Sequence, residues 1–151
     1  MKRPRQKKSS DAVETIGWRE RVRLPEIGIG PIVAKIDTGA RSAALHAENI
    51  KVTGHRVRFR VPVGGRVHHC ELRLAGRRHV KSSSGHRESR VVVVTQVKIG
   101  KHLIAAEVTL TDRTDMGVPM LLGRAAIRGR FLVDPSHSFV VSARKIRSST
   151  A

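Results

Sequence analysis

Apolar and polar positions alternate through most of the chain with a period of two, the spacing that puts every second side chain on one face of a strand. In Trp18–Leu24 the arginines Arg19, Arg21 and Arg23 fall on one face and Trp18, Val22 and Leu24 on the other, which predicts a half-buried strand. Arg56–Val61 repeats the pattern, with Val57, Phe59 and Val61 opposite Arg56, Arg58 and Arg60; Gly64-Gly65 then turns the chain into Val67–Leu74, a hairpin. Val91–Ile99, a turn at Gly100-Lys101 and His102–Thr111 form a second hairpin, with Ile104, Ala106, Val108 and Leu110 lining one face. Shorter strands are expected at Ile32–Ile36, Met120–Leu122, Phe131–Val133 and Phe139–Val141, and helix only at Arg124–Arg128, between Gly123 and Gly129. Many short strands with little helix predict an all-β domain, an antiparallel barrel or sandwich.

The two ends break the pattern. The opening segment MKRPRQKKSS carries five cationic side chains and the closing segment is similarly polar, so residues 1–15 and 144–151 are expected as tails around one domain at 16–143. The chain of 151 residues is long enough for one such core. Thirty Lys and Arg against twelve Asp and Glu give a net charge of +18, and removing the tails leaves about ten positive charges, so an acidic partner is expected. Uninterrupted apolar runs reach only four residues, as in Val91–Val94, which argues against a membrane span. Cys70 is the single cysteine, which excludes an internal disulfide and a thiolate-rich zinc cluster and fits a cytoplasmic protein.

The segment with most chemical content is Ile32–Ala44, IVAKIDTGARSAA. An apolar strand ends in Asp37, and Thr38-Gly39 follow at once, so a tight loop can present the carboxylate to a cleft. Asp-Thr-Gly is equally the composition of an ordinary turn. The later run Val118–Arg124, VPMLLGR, places a compact apolar strand before a Gly-Arg pair. With both segments present the chain resembles the retropepsin-like aspartic proteases, whose signature is a hydrophobic strand, Asp-Thr-Gly-Ala, and later a hydrophobic run ending in Gly-Arg. The stretches IGWRERVRLPEIGI, AKIDTGARSAALHA, KSSSGHRESR, EVTLTDRTDMG and PMLLGRAAIRGRFLVD, in that order, resemble one bacterial and archaeal branch, labelled putative ATP-dependent zinc proteases. The likeness covers Ile16 to Ser142.

The resemblance implies a closed retropepsin-like β-barrel with one short helix and an active site shared by two subunits. Aspartic proteolysis needs two carboxylates that share a proton, one activating water and the other polarising the scissile carbonyl. The chain holds a single Asp-Thr-Gly; Asp115-Met116-Gly117 lacks the hydroxyl and follows no apolar strand. A homodimer supplies the second acid on its symmetry axis. By resemblance Asp37 is catalytic, Thr38 bonds across the axis and Gly39 permits close substrate approach. The branch is associated with ATP-grasp ligases that add glutamates to protein C-termini, and trimming of such tails has been proposed for it, so the implied substrate is an acidic peptide tail and the implied partners are a glutamate ligase and the ribosome. No cofactor is expected. The chain has no phosphate-cradling glycine loop, so any ATP dependence would come from a partner.

One departure from the pattern concerns specificity. Retropepsins carry an acid four residues after the catalytic Asp, paired with the arginine of Gly-Arg; here that position is Arg41, so Arg124 needs another acid to brace it, or both arginines face substrate. Arg41, Arg124, Arg87 and Arg113 are therefore candidate carboxylate ligands. Against this, Arg41 reads equally as a solvated arginine, and Arg113 as an internal partner of Asp112 or Asp115. Lys81–Arg90, KSSSGHRESR, reads as a flap bringing His86 and Arg87 to substrate, or as an ordinary loop. Two rival classes remain. A zinc peptidase is disfavoured because HExxH is absent and His68-His69-Cys70 can converge only His68 and Cys70, so no metal ligand is assigned. A basic RNA- or ribosome-binding β domain without catalysis fits the charge, but one Trp, three Phe and no Tyr leave only weak, nonspecific backbone contacts to nucleic acid.

Overall fold

The computed structural model describes residues 12–81, 85 and 87–142. In chain order the elements are β1 (Glu14–Gly17), β2 (Arg19–Leu24), β3 (Ile29–Ile36), β4 (Ala43–His46), β5 (Glu48–Thr53), β6 (Arg56–Val63), β7 (Arg66–Lys81), β8 (Arg87–Ile99), β9 (His102–Thr111), β10 (Met120–Leu122), α1 (Arg124–Ile127) and β11 (Phe131–Asp134). Among the described residues the chain is all-β with one short α-helix. Both predicted hairpins form: β6 pairs with β7 from Val63↔Arg66 to Arg56↔Arg73, and β8 with β9 from Ile99↔His102 to Val91↔Leu110.

The strands lie in the order β2-β3-β10-β4-β9-β8-β7-β6-β5, and β8 also touches β2. This closes a ring of six strands, but only through the pair Arg23↔Lys98, so it is a ring of pairings rather than the closed barrel expected. Nor is the sheet purely antiparallel: β10 runs parallel to β3, and β4 parallel to β9. Alternation fixes which face is buried and is silent on direction. The loop at residues 37–42 carries the chain from β3 to β4 across the width of one strand, and β10 fills that gap. The inward side chains, among them Ile36, Leu45, Val93, Val97, Val108, Leu110, Met120 and Leu122, form one core; burying each is worth roughly 1.5–3 kcal/mol.

β5, β6 and β7 form an arm that leaves the ring through β7, whose register shifts between Leu74 and Gly76. The arm packs Val57, Phe59, Val61 and Cys70 inward and turns Arg56, Arg58 and Arg73 to solvent. Burial pushes the Cys70 thiol up to about 11, which leaves it protonated and unreactive at neutral pH.

Three sequence expectations need correction. β1 starts at Glu14, inside the expected tail, and pairs in parallel with β11; residues 1–11 and 143–151 lie outside the described residues. α1 ends at Ile127, one residue early. Phe139–Val141 is a turn, not a strand. The reason lies in β2, where Glu20 shares the buried face with Val22 and Leu24 and is fully enclosed. Its carboxylate accepts from the backbone N–H of Gly17 (2.7 Å), Val140 (2.8 Å), Val141 (3.3 Å) and Ser142 (3.1 Å), and from Ser142 Oγ (2.7 Å). Those N–H groups are thereby satisfied without a sheet ladder, and the apolar triplet folds as a turn with Phe139 at φ 54°. Arg19 and Arg21 stack their guanidiniums on the Phe139 ring.

Candidate active site

β3 ends at Ile36, and Asp37 begins the loop that leads to β4. The loop is seated by main-chain hydrogen bonds. Asp37 N–H donates to Leu122 O of β10 (2.8 Å), Ala40 N–H to Asp37 O (3.2 Å), Arg124 N–H to Ala40 O (2.7 Å) and Ala125 N–H to Arg41 O (2.9 Å). The Asp-Thr-Gly loop and the Gly-Arg segment are thus two sides of one structure. Gly123 makes their approach possible, since a Cβ there would lie 2.7 Å from Arg41 O and would also strike Ser42 O.

The Asp37 side chain is half-buried, and Gly39 N–H donates to its Oδ1 at 3.0 Å. A Cβ on Gly39 would stand 3.3 Å from the same oxygen. Thr38 and Gly39 are exposed. The carboxylate therefore sits at the rim of the fold with acceptor capacity unused by the loop, in a position to bind water or a second acid.

Of the four arginines, Arg41 and Arg124 meet at this loop, while Arg113 and Arg87 belong to other segments. The Arg124 guanidinium donates through Nη1 to Thr38 O at 3.0 Å, so among the described residues its brace is a carbonyl rather than an acid. This resolves the departure from the retropepsin pattern: with Arg41 in the acid's place, Arg124 binds the loop's backbone directly. Arg41 is exposed beside Asp37 in sequence, its carbonyl held by α1. Arg113 pairs with Asp115 (3.2 Å) and its N–H donates to His46 Nδ1 (3.0 Å), the internal role, on the far side of β4 in sequence. The same ion pair ties up Asp115, in an exposed turn at Thr114–Met116. Arg87 is exposed at the start of β8, opposite Lys81. Of the expected flap, residues 82–84 and His86 lie outside the described residues.

Two features were not anticipated. Arg78 of β7 reaches Ser42 Oγ (2.8 Å) and Glu107 (2.9 Å), fastening the end of the Asp37 loop to β7 and β9. His46, Glu48 and Asp112 place one ligand atom each within 4.8 Å of one another, a metal-like grouping that no sequence motif announces because it joins β4, β5 and the end of β9. Its hydrogen bonds argue against a metal. His46 Nδ1 accepts from the backbone of Arg113, so the ring proton is on Nε2, the atom that faces Glu48 at 3.6 Å. A metal-bound histidine ordinarily donates through its other nitrogen, which is here an acceptor. Arg60 also occupies Glu48 Oε1, at 3.2 Å. His68 and Cys70 share the inner side of β7 and His69 the outer, as the alternation implied. No helix is long and apolar enough to cross a membrane among the described residues.

Proteins named probable alpha-L-glutamate ligase are similar to the chain: 38% identical over 138 residues in Shewanella halifaxensis, covering 86% of this chain and 30% of that protein, and 36% over 143 residues in Shewanella pealeana, covering 89% and 31%. A third, in Desulfotalea psychrophila, is 38% identical over 133 residues. The chain spans about a third or less of the length of these relatives. Among solved structures, a Legionella pneumophila protein of unknown function superposes with a TM-score of 0.73 at 32% identity, covering 86% of this chain and 99% of that one. The model of the retropepsin-like aspartic endopeptidase RimB matches residues 15–144, nearly the whole chain. The chain belongs to the RimB-like family of retropepsin-like aspartic endopeptidases.

Proposed function

We propose that this chain is half of an aspartic peptidase, completed when a second copy supplies the other Asp37, and that it hydrolyses glutamate-rich peptide tails. The observation that carries the reading is the Asp37 loop: a half-buried carboxylate, fixed by main-chain bonds to β10 and α1 and holding one loop N–H on Oδ1. A lone acid cannot run this chemistry, because one ionised and one protonated carboxylate must act together. The ionised Asp37 takes a proton from water as the oxygen attacks the scissile carbonyl, while the protonated Asp37 of the partner subunit donates to that carbonyl oxygen. Thr38, exposed beside it, would bond across the axis of that pair.

An acidic substrate is supported by the net charge of +18 and by Arg41, exposed in the loop where other retropepsins carry an acid. The glutamate-ligase names of the relatives point to the same chemistry, glutamates added by one activity and removed by another. Partnership with such a ligase, acting on a ribosomal protein, is part of this proposal. Residues Arg87, Arg113 and Arg124 are less well placed than Arg41, and Arg113 and Arg124 are committed to internal acceptors.

The test is shortening of an oligoglutamate-tailed peptide, followed by mass spectrometry, in wild type, Asp37→Asn and mixtures of the two. Wild type is expected to cut, the variant to be silent, and excess variant to suppress a fixed amount of wild type by trapping it in hybrid pairs. Cleavage by Asp37→Asn, or turnover per subunit that stays constant on dilution to monomer, defeats the reading. A second reading, a tail-binding module without catalysis, is favoured by Arg41 in the acid's position; wild type would then bind the peptide and never shorten it.

A further inference from the structure

The outer face of the β5–β6–β7 arm has a charge arrangement that the peptidase reading does not use. Cross-strand neighbours on this face are Lys51↔Arg58, Arg56↔Arg73 and Arg58↔Glu71, with Arg60 opposite Glu48 and His69. Five cations, Lys51, Arg56, Arg58, Arg60 and Arg73, meet two acids, Glu48 and Glu71. Like charges placed directly opposite each other destabilise a sheet. Two such pairs on one exposed face therefore work against the fold unless an anion joins them.

The two acids organise the cations rather than neutralise them. Glu71 contacts Arg56 Nε at 2.7 Å and Arg58 Nε at 3.4 Å, and these guanidiniums hold its carboxyl below the usual range, Arg56 most strongly. Contact through Nε leaves the terminal nitrogens of both forks free to donate to an acceptor outside the arm. Arg73 is exposed and has no acidic partner among the described residues. Beside them lies a depression of about 550 Å³ lined by Asn49, Lys51, Arg58, Arg60, His69 and Glu71, among others.

We propose that this face is a docking surface for the phosphate backbone of structured RNA. Guanidinium forks outnumber ammonium groups four to one on it, and forks match phosphate oxygens in paired hydrogen bonds. Addition of an acidic peptide as an extra strand is the competing occupant. β5 is the free edge such a strand would need, but its register breaks between Glu48 and Lys51 and Asn49 turns to φ 51°. A bulge of this kind twists an edge away from pairing. Contact on this face therefore goes through side chains, spaced along each strand by roughly 6.8 Å at every second residue. The face exposes no Phe, Tyr or Trp ring for base stacking and only the imidazole of His69, so recognition is chiefly of backbone and not of sequence.

The test uses the full chain and a short fluorescent RNA duplex of mixed sequence, with affinity measured by anisotropy across a range of salt. Arg56→Gln/Arg58→Gln/Arg73→Gln is compared with Lys98→Gln/Lys101→Gln/Arg128→Gln, which removes the same charge elsewhere; the cationic opening residues are present in both. The arm variant is expected to bind about tenfold or more weakly and to lower the salt slope by about 2–3, one for each phosphate it no longer neutralises. The control should weaken much less. Equal weakening in the two variants, unchanged binding by the arm variant, or loss of oligoglutamate binding with RNA binding intact would each overturn the proposal. Should the triple variant fail to fold by circular dichroism, Arg73→Gln alone, which breaks no ion pair among the described residues, must lower the slope by about one. None of these readouts involves peptide cleavage, so the outcome is independent of Asp37.

Discussion

Two carboxylates at the ends of the same fold have opposite fates. Glu20 is fully enclosed and receives four backbone N–H groups and one hydroxyl. Asp37 is half-buried at the end of β3 and receives Gly39 N–H. The first has spent its lone pairs on holding the final turn against β2. The second keeps acceptor sites for a ligand while the chain around it is fixed by main-chain bonds. A carboxylate that builds structure is saturated, and one available for chemistry is not; rigidity at the Asp37 site comes from its neighbours.

The contrast is broken most severely at Glu20. Glu20→Gln replaces one acceptor oxygen by an NH2 group that must face N–H donors, leaving at least one of them buried and unpaired. Loss of roughly 2–4 kcal/mol is expected in denaturant unfolding, at unchanged activity per folded molecule. Next comes the seat of the Asp37 loop. In Gly123→Ala the new Cβ meets the Arg41 carbonyl at 2.7 Å, and since the Cβ position is fixed by the main chain and the carbonyl is part of it, no side-chain rotation relieves it. A loss of about 1–3 kcal/mol is expected, together with a fall in kcat, because the loop that moves is the one bearing the acid. A stable, fully active Gly123→Ala protein would show that the two segments are not tightly seated.

These sites also mark what sequence could reveal. The β6–β7 and β8–β9 hairpins were legible because alternating or continuous apolar stretches flank a glycine turn in each, and the Asp37 loop because two separated segments carried it. Glu20 escaped notice as a charge on an otherwise apolar face, and with it went the true conformation of Phe139–Val141: the triplet reads as a strand, and only the distant carboxylate makes it a turn. β5 was missed since its bulge at Asn49 interrupts the alternation. The acceptor of Arg124 was illegible for another reason: it is a backbone carbonyl, and carbonyls have no letter in a sequence. Nor can alternation distinguish parallel from antiparallel neighbours, which is why the parallel pairing of β10 with β3 was not foreseen.

A third carboxylate lies between the extremes. Asp134 accepts from Ser136 N–H (2.9 Å) and Oγ (2.6 Å) and contacts His137 Nδ1 at 2.8 Å. The Ser136 hydroxyl and N–H, then His137, lower it from an ordinary 3.8 to about 2. Because the folded value is depressed, its stabilising effect is present above the ordinary carboxylate value and is lost as pH falls from about 4 towards 2. Asp134→Asn should lower stability at neutral pH, where the paired carboxylate is charged, change it little near pH 2, and so flatten the acid limb of a stability–pH curve over that window. Arg124→Gln should lower stability to the same extent on both sides of that window, by about 1 kcal/mol, the value of a partly exposed charged donor on Thr38 O.

The smallest stability effect is expected where the proposed chemistry is concentrated. Asn at position 37 keeps an oxygen for the Gly39 N–H, and the other bonds seating the loop are made by main chain or by the side chains of Arg124 and Arg78. Asp37→Asn should therefore shift unfolding by less than about 0.5 kcal/mol, as an accessible substitution away from buried networks does. If Asp37 serves only as a turn former, an Asn turn is about as good, and peptide turnover should be as insensitive as stability. If it is half of a dyad, turnover disappears while the denaturant midpoint stays put. A marked loss of stability would place Asp37 with Glu20, among the carboxylates that hold the fold, and remove the physical reason for regarding it as free to act.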